Sequence, residues 1–288
     1  MWFNARVRAA AILGLGSSET DLKPFQESTQ AKWVIGLPEG PADADAILIF
    51  GGDGTIHRHL GQLVKLQRPV LVVPHGSGND FARAIGIRGV KDSLTAWQKF
   101  CSANPHTTAI DLGIITPAGR YFCCVANLGL DADVARRANK LPRWLRSHGG
   151  YVASLPSALF RFAAVHAQIE AMQNGAFTSH SNKRISLAAF ANTPVYGGGM
   201  KIAPRARFDD GKLDACVVGD INKFKLFSLF PTVYFGRHLN LTGVEYFQAA
   251  RFRVTGERPL EVYADGEYVC DTPVEIGVAP AALPVISL

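Results

Sequence analysis

Ala46–Thr55, AILIFGGDGT, is the stretch whose reading decides the fold. Five apolar residues run without interruption into two glycines, an aspartate, a third glycine and a threonine. A continuous apolar run bounded by a Gly-rich turn is the pattern of a strand buried on both faces of a parallel sheet. Immediately afterwards Ile56, Leu60, Leu63 and Val64 recur at helical spacing, so one face of a helix is apolar. Gly51, Gly52 and Gly54 let a backbone approach a phosphate closely. The free amides at the start of the helix, with its partial positive charge, favour an anion there. Asp53 would repel a phosphate but suits a Mg²⁺ that bridges phosphates, directly or through water. An ordinary strand-to-helix turn with Asp53 as cap is the plainer alternative.

The arrangement recurs downstream. Val70–Pro74 (VLVVP) is again an apolar run, followed by HGSGND over 75–80 and then by Phe81, Ala84 and Ile85, with Asn79 or Asp80 available as helix cap. Two such loops at the carboxyl ends of parallel strands face one crevice, where ligands bind in open α/β sheets. In this nucleotide cleft the binding residues are Gly51, Gly52, Asp53, Gly54 and Thr55 with Gly76, Ser77, Gly78, Asn79 and Asp80. Ser77 brings a hydroxyl, Asn79 an amide and Asp80 a second carboxylate for the metal network.

From residue 113 the pattern changes to short alternating runs with turns: GIITPAGRYFCCVANLG (113–129), RISLAAFANTPVYGGGM (184–200), KLDACVVGD (212–220), RFRVTGERPLEVYADGEYVCD (251–271) and VEIGV (274–278). These predict a β-rich second domain over 113–278 after an α/β domain over 1–112. Helix-like stretches at 131–147 and 151–171, the second containing Pro156, interrupt it. Asp265-Gly266 is a two-residue hairpin signal that places Glu267 at a rim.

Composition narrows the possible functions. With 288 residues and 48% apolar content the chain can bury real cores. The longest stretch lacking Asp, Glu, Lys and Arg is Ile185–Met200, and it includes Asn, Pro and three Gly. A spanning helix, which needs about twenty apolar residues, is not expected. MWFNARVRAAAILGLGSSE reads as a buried first strand rather than a targeting signal, since its apolar core is short and no A-x-A site follows. Five cysteines without CxxC spacing support neither a disulfide framework nor a zinc site, and point to the cytoplasm. The formal charge of +6 is unevenly spread: +1 over residues 1–112, +9 over 113–207 and −4 over 208–288.

Together GGDGT (51–55), PHGSGNDFARAIGI (74–87), YGGGMKIAPRARFDDGKLD (196–214) and ADGE (264–267) resemble the diacylglycerol kinase catalytic family, with its bacterial lipid kinases and sphingosine kinase relatives. GGDGT alone is shared with NAD kinases and phosphofructokinases; GGDGT followed by GNDFAR and a late DGE is specific. The resemblance implies a Rossmann-like α/β nucleotide domain, completed by residues 279–288, and a β-rich sandwich domain of the NAD kinase/diacylglycerol kinase kind. It implies ATP and Mg²⁺ as cofactors and the hydroxyl of diacylglycerol or a related lipid as phosphoryl acceptor. Glu267 matches the family's proton acceptor, with Asp265 and Asp53 assisting. A structural Mg²⁺ is implied at the Asp210 carboxylate and the main-chain carbonyls of Arg207 and Lys212, where a plain turn is the other reading. Alternatives are a kinase for NAD or another soluble alcohol, and a regulator that binds nucleotide without catalysis.

Two departures from the family pattern stand out. The N-terminal phosphate loop is shortened to Gly14–Ser18, and His57-Arg58 replaces the usual Asn-Glu after the first loop. In the basic middle third, Arg136, Arg137, Lys140, Arg143 and Arg146 surround Leu141, Trp144 and Leu145. This segment suits peripheral contact with an anionic membrane surface, or else is a solvated helix face. Nucleic-acid binding is not expected, because no recognition motif accompanies the charge.

Overall fold

The computed structural model describes residues 7–102, 106–140, 158–159 and 162–288. The chain forms two compact units, one running to Ile110 and including Ala281–Leu288, the other spanning Asp111–Pro280.

The first unit is built on parallel strands β1 (Arg8–Leu13), β2 (Lys32–Ile35), β3 (Ala46–Gly51) and β4 (Val70–Pro74). Their order is β2-β1-β3-β4, and the last strand of the chain adds Val285 in parallel beside Val70. Ala46–Phe50 and Val70–Val73 are buried at every position, so both faces are covered, which is why these runs do not alternate. Each fully buried Ile, Leu or Phe contributes about 1.5–3 kcal/mol of apolar transfer. Ala9–Ile12 of β1 are buried as well. The covering helices are α1 (Glu19–Glu27), α2 (Asp53–Leu66), the short α3 (Asp80–Ala84) and α4 (Val90–Phe100). On α2 the buried stripe is Ile56, His57, Leu60, Leu63 and Leu66. His57 therefore turns into the core, Val64 is only half-buried, and Arg58 is exposed.

The second unit is antiparallel. Its strands are β5 (Thr107–Thr116, entering from the first unit), β6 (Arg120–Phe122), β7 (Val125–Gly129), β8 (Val165–Gln173), β9 (Ala176–Ala191), β10 (Leu213–Gly219), β11 (Val244–Ala249), β12 (Arg251–Gly256), β13 (Glu261–Ala264), β14 (Glu267–Asp271) and β15 (Val274–Ile286). The main path is β14-β13-β7-β9-β8-β12-β15, with β10 joining β9 to β11 and β5 joining β6 to β15. Alternate residues such as Ala126, Leu128, Ile169, Ala188, Phe190, Phe252, Val254, Val262 and Ile276 make the core. Its described elements also include the helices α5 (Leu130–Asn139) and α6 (Lys223–Tyr234), the latter followed by a 3₁₀ turn at Arg237–Asn240.

The expected helix at 151–171 is corrected from Val165 onward. Val165–Gln173 (VHAQIEAMQ) is strand β8, although Ala, Gln, Glu and Met favour helix. Ala167, Ile169 and Ala171 bury one face while His166, Gln168 and Glu170 remain partly exposed, and pairing with β9 and β12 on both sides overrides the local preference. The expected helix at 131–147 is present as α5 to Asn139; residues 141–157 lie outside the described residues.

Candidate functional site

The parallel register sets Gly51 opposite Pro74, so the loops after β3 and β4 start side by side. The His75 amide donates to the Gly51 carbonyl at 3.1 Å. Next to this bond the backbones meet glycine to glycine. A Cβ on Gly52 would lie 2.8 Å from Gly76 Cα, and one on Gly76 would lie 2.6 Å from Gly52 Cα. Any side chain at either position would push the loops apart.

Asp53 stands in the first turn of α2, and its carboxylate crosses to the second loop. Oδ2 accepts the Asp80 amide at 3.0 Å and Oδ1 the Phe81 amide at 3.1 Å. Asp53 thus caps α3, a task the sequence left to Asn79 or Asp80. Asn79 instead adopts left-handed backbone (φ +53°) and folds its side-chain amide onto Gly76, accepting from Gly76 N at 2.9 Å and donating to Gly76 O at 2.6 Å. Asp80 is buried and accepts from the Arg83 guanidinium at 2.6 Å. The main chain at Gly78 passes beside both acids: a Cβ there would meet Asp53 Oδ2 at 2.9 Å and Asp80 Oδ2 at 3.7 Å. Ser77 is exposed at the tip.

The shortened N-terminal loop joins them. Gly14 N and Ser17 Oγ both donate to the Phe50 carbonyl, at 2.7 and 2.6 Å. A Cβ on Gly14 would come within 2.6 Å of Thr55 Oγ1. Three loops from three adjacent parallel strands therefore converge on the N-terminus of α2, with bare backbone where side chains would fill the space. This is a cradle of the kind an oligophosphate occupies. Two neighbouring carboxylates suit a Mg²⁺ held mainly by water and phosphate, which needs no protein cage. Among the described residues no three His, Cys, Asp or Glu side chains form such a cage.

The ADGE segment is the β13–β14 hairpin. Asp265 (φ +49°) and Gly266 (φ +85°) both take positive φ, as a two-residue hairpin turn of this hand requires. Asp265, read from sequence as an assistant in the metal network, has main-chain partners. Its carboxylate accepts the amides of Cys123 and Cys124 at 2.8 Å each and of Val125 at 3.3 Å, while its own amide donates to the Val125 carbonyl. Asp265 is a positioning residue that ties the hairpin to the start of β7. Glu267 pairs with Ala264 across the turn and is exposed, and its carboxylate makes no hydrogen bond or ion pair with a described residue.

In the RFDDGK loop the Asp209 carboxylate takes the Arg207 guanidinium at 3.0 and 3.1 Å, which holds Asp209 below the usual carboxylate range. Asp210 is exposed, and its Oδ1 accepts the Lys212 amide at 3.1 Å. The carboxylate and main-chain carbonyls here have the right donor chemistry for a hard cation. The loop is fastened by Asp111, which the sequence reading overlooked: Asp111 Oδ2 accepts the Gly211 amide at 2.8 Å and Asp111 N donates to the Phe208 carbonyl at 2.7 Å.

Other buried acids also escaped the sequence reading. The Tyr196 hydroxyl donates to Asp131 at the start of α5, and burial, then Asp131, pushes the nearby Cys216 thiol up to about 12. Asp214 on β10 accepts from Tyr246 and from Gln248 Nε2; burial raises the carboxyl, and burial and then this hydrogen bond raise the Tyr246 phenol. The only available signal was a hydrophobic strand, LDACVVG, carrying one acid. Of the basic cluster, Arg136 and Arg137 both pair with Asp133, and Arg143 and Arg146 lie outside the described residues. No helix among the described residues is long and apolar enough to cross a membrane.

Residues 12–115 match the diacylglycerol kinase catalytic domain, and residues 124–287 match the YegS C-terminal NAD kinase beta sandwich-like domain. A diacylglycerol kinase of Mycobacterium tuberculosis is 34% identical over 246 residues, 84% of this chain and 76% of that protein. A diacylglycerol kinase of Bacillus subtilis is 29% identical over 78% of this chain and 71% of its own length. The crystal structure of a Bacillus anthracis diacylglycerol kinase superposes with TM-score 0.70 at 18% identity, covering 99% of this chain and 98% of that one. An Archaeoglobus fulgidus NAD kinase solved with ATP shares the fold more distantly, with TM-score 0.53 at 15% identity over 96% and 92% of the two chains. The second-domain match alone exceeds half of the sequence, and the first unit carries the glycine-to-glycine loops of the catalytic-domain match: the chain belongs to the diacylglycerol kinase family and is a lipid kinase-type phosphotransferase.

Proposed function

We propose that the protein transfers the γ-phosphoryl group of ATP to the hydroxyl of diacylglycerol or a related lipid. The observation that carries this reading is the closure of the two Gly loops by the Asp53 carboxylate, which leaves bare backbone beside a helix N-terminus, a setting that favours an anion. In the reaction an O–P bond forms from the lipid hydroxyl as the bond to the β-phosphate oxygen breaks and ADP leaves. Phosphoryl transfer asks the protein chiefly for positioning and charge neutralisation.

Gly51–Thr55 and Gly76–Asp80 form the phosphate site, with the Thr55 and Ser77 hydroxyls and main-chain amides other than those of Thr55, Gly76 and Asp80, which are engaged within the loops, as donors. Asp53 and Asp80 would hold Mg²⁺, which would supply neutralisation of phosphate charge. Glu267 receives the proton of the attacking hydroxyl, a task that an exposed carboxylate beside a two-residue hairpin turn can perform. Asp265 keeps that hairpin in place. At the RFDDGK loop, Asp210 with the carbonyls of Arg207 and Lys212 would hold a second, structural Mg²⁺.

The test is transfer of labelled γ-phosphate from ATP to a panel of lipid and soluble alcohols. Glu267→Gln is expected to lower kcat at least about 100-fold, the scale of general base catalysis, while the protein stays folded. Unchanged activity in that variant removes Glu267 from the mechanism, and transfer to NAD or another soluble alcohol but to no lipid overturns the acceptor assignment.

A further inference from the structure

Helix α6 is both more apolar and more exposed than α5. Asn222 caps it, accepting the Phe224 amide at 2.8 Å, and Leu226, Leu229 and Val233 fill its inward stripe. That stripe already meets the packing need of a surface helix. Yet the outward face carries Phe224, 83% exposed, and Phe227, 59% exposed, three residues apart and therefore neighbours on the helix surface. Just beyond the helix, Phe235 is 72% and Leu241 41% exposed. Single exposed apolar residues are ordinary, but three phenylalanines and a leucine lie exposed within eighteen residues here.

The charge of the same segment is one-sided. From Ile221 to Val244 the sequence has no Asp or Glu and includes Lys223, Lys225 and Arg237, although residues 208–288 as a whole carry −4. The Arg237 guanidinium lies 6.0 Å from the Phe235 ring centroid, beside one of the exposed rings. Exposed aromatic rings thus sit in a stretch whose charged side chains are all basic and have long stems that reach outward. A phospholipid surface provides both layers at one interface. A second copy of the chain would bring Lys223, Lys225 and Arg237 against their own equivalents, which like-charge repulsion opposes.

We propose that α6 and the turn to Leu241 form a docking surface for an anionic lipid bilayer, with Phe224, Phe227 and Phe235 entering the interface and Lys225 and Arg237 meeting headgroup phosphates. This surface shares no residue with the Arg136–Arg146 segment and rests on the reading that the acceptor is a membrane lipid.

The experiment is co-sedimentation of the whole protein with phosphatidylcholine vesicles, with and without phosphatidylglycerol. Wild type is expected to sediment with the phosphatidylglycerol vesicles, more weakly as salt is added. The F224S/F227S double variant is expected to bind them at least about tenfold more weakly, since two interfacial anchors are lost. Lys225→Glu is expected to weaken binding to the anionic vesicles alone. Both variants change exposed residues, and unchanged circular dichroism and Tm verify their folding. Equal binding by wild type and F224S/F227S overturns the proposal, as does a wild-type dimer that F224S/F227S converts to a monomer. Transfer to a water-dispersed short-chain diacylglycerol is measured separately: a wild type that docks through Phe224 and Phe227 but phosphorylates no lipid supports the docking surface and overturns the kinase reading instead.

Discussion

Asp53 Oδ2 accepts the main-chain amide of Asp80 across 3.0 Å, so the carboxylate of the first glycine loop is the cap of the helix that follows the second. The same side chain takes the Phe81 amide, and the two loops behave as one unit.

Asp53→Asn exchanges one acceptor oxygen for an amide group and strands at least one buried N–H. An unsatisfied donor of this kind costs about 1–3 kcal/mol. A lower Tm together with weakened nucleotide binding by calorimetry is expected. A variant that kept full stability would show that α3 finds another cap.

Gly76→Ala separates steric from chemical requirements, because it alters no charge or hydrogen-bonding group. Its Cβ would meet backbone at Gly52 Cα 2.6 Å away, not the movable end of a side chain. The loops must part, so nucleotide affinity is expected to fall at least about tenfold, equivalent to about 1.4 kcal/mol. Gly61→Ala, where the added Cβ meets nothing within 4 Å, serves as the control.

Asp265 and Glu267 lie two residues apart and are expected to respond differently. Asp265→Ala removes the acceptor for three amides, so both Tm and activity should fall, the former by several degrees. Glu267→Gln should leave Tm unchanged. Equal loss of stability in both variants would contradict the division into a positioning residue and a proton acceptor.

His238 supplies a pH-dependent element. It is fully buried, its Nε2 lies 3.0 Å from the Ile202 carbonyl, and burial lowers its pKa below the ordinary 6.5. The folded state thus prefers the neutral ring. Its contribution is fully present above the unfolded pKa of 6.5 and is lost as pH falls toward the depressed folded value. Tm is expected to drop between pH 7.5 and pH 5.5, and His238→Gln should reduce that drop. A variant with an undiminished drop would place the pH dependence elsewhere.

Much of the architecture is legible along the chain because it is written in near neighbours. AILIF and VLVVP are uninterrupted because both their faces are buried, and Asp265-Gly266 marks a turn because both residues accept positive φ. Helix α6 and strand β8 were harder. The phenylalanines of KFKLFSLFPTVY do not follow the core stripe, and VHAQIEAMQ combines helix-favouring residues with a buried face of period two.

By itself the sequence determined the strand–loop–helix units, the β-rich second half, and which residue types could meet a phosphate, since periodicity and turn chemistry act over a few residues. Only the tertiary structure decided what the acids do. Asp53 finds its amides 27 and 28 residues away, Asp265 grips amides about 140 residues back, and Asp111 holds an amide 100 residues ahead. A carboxylate's partner is set by which backbone ends beside it once strands have paired, and no spacing along one chain encodes that meeting.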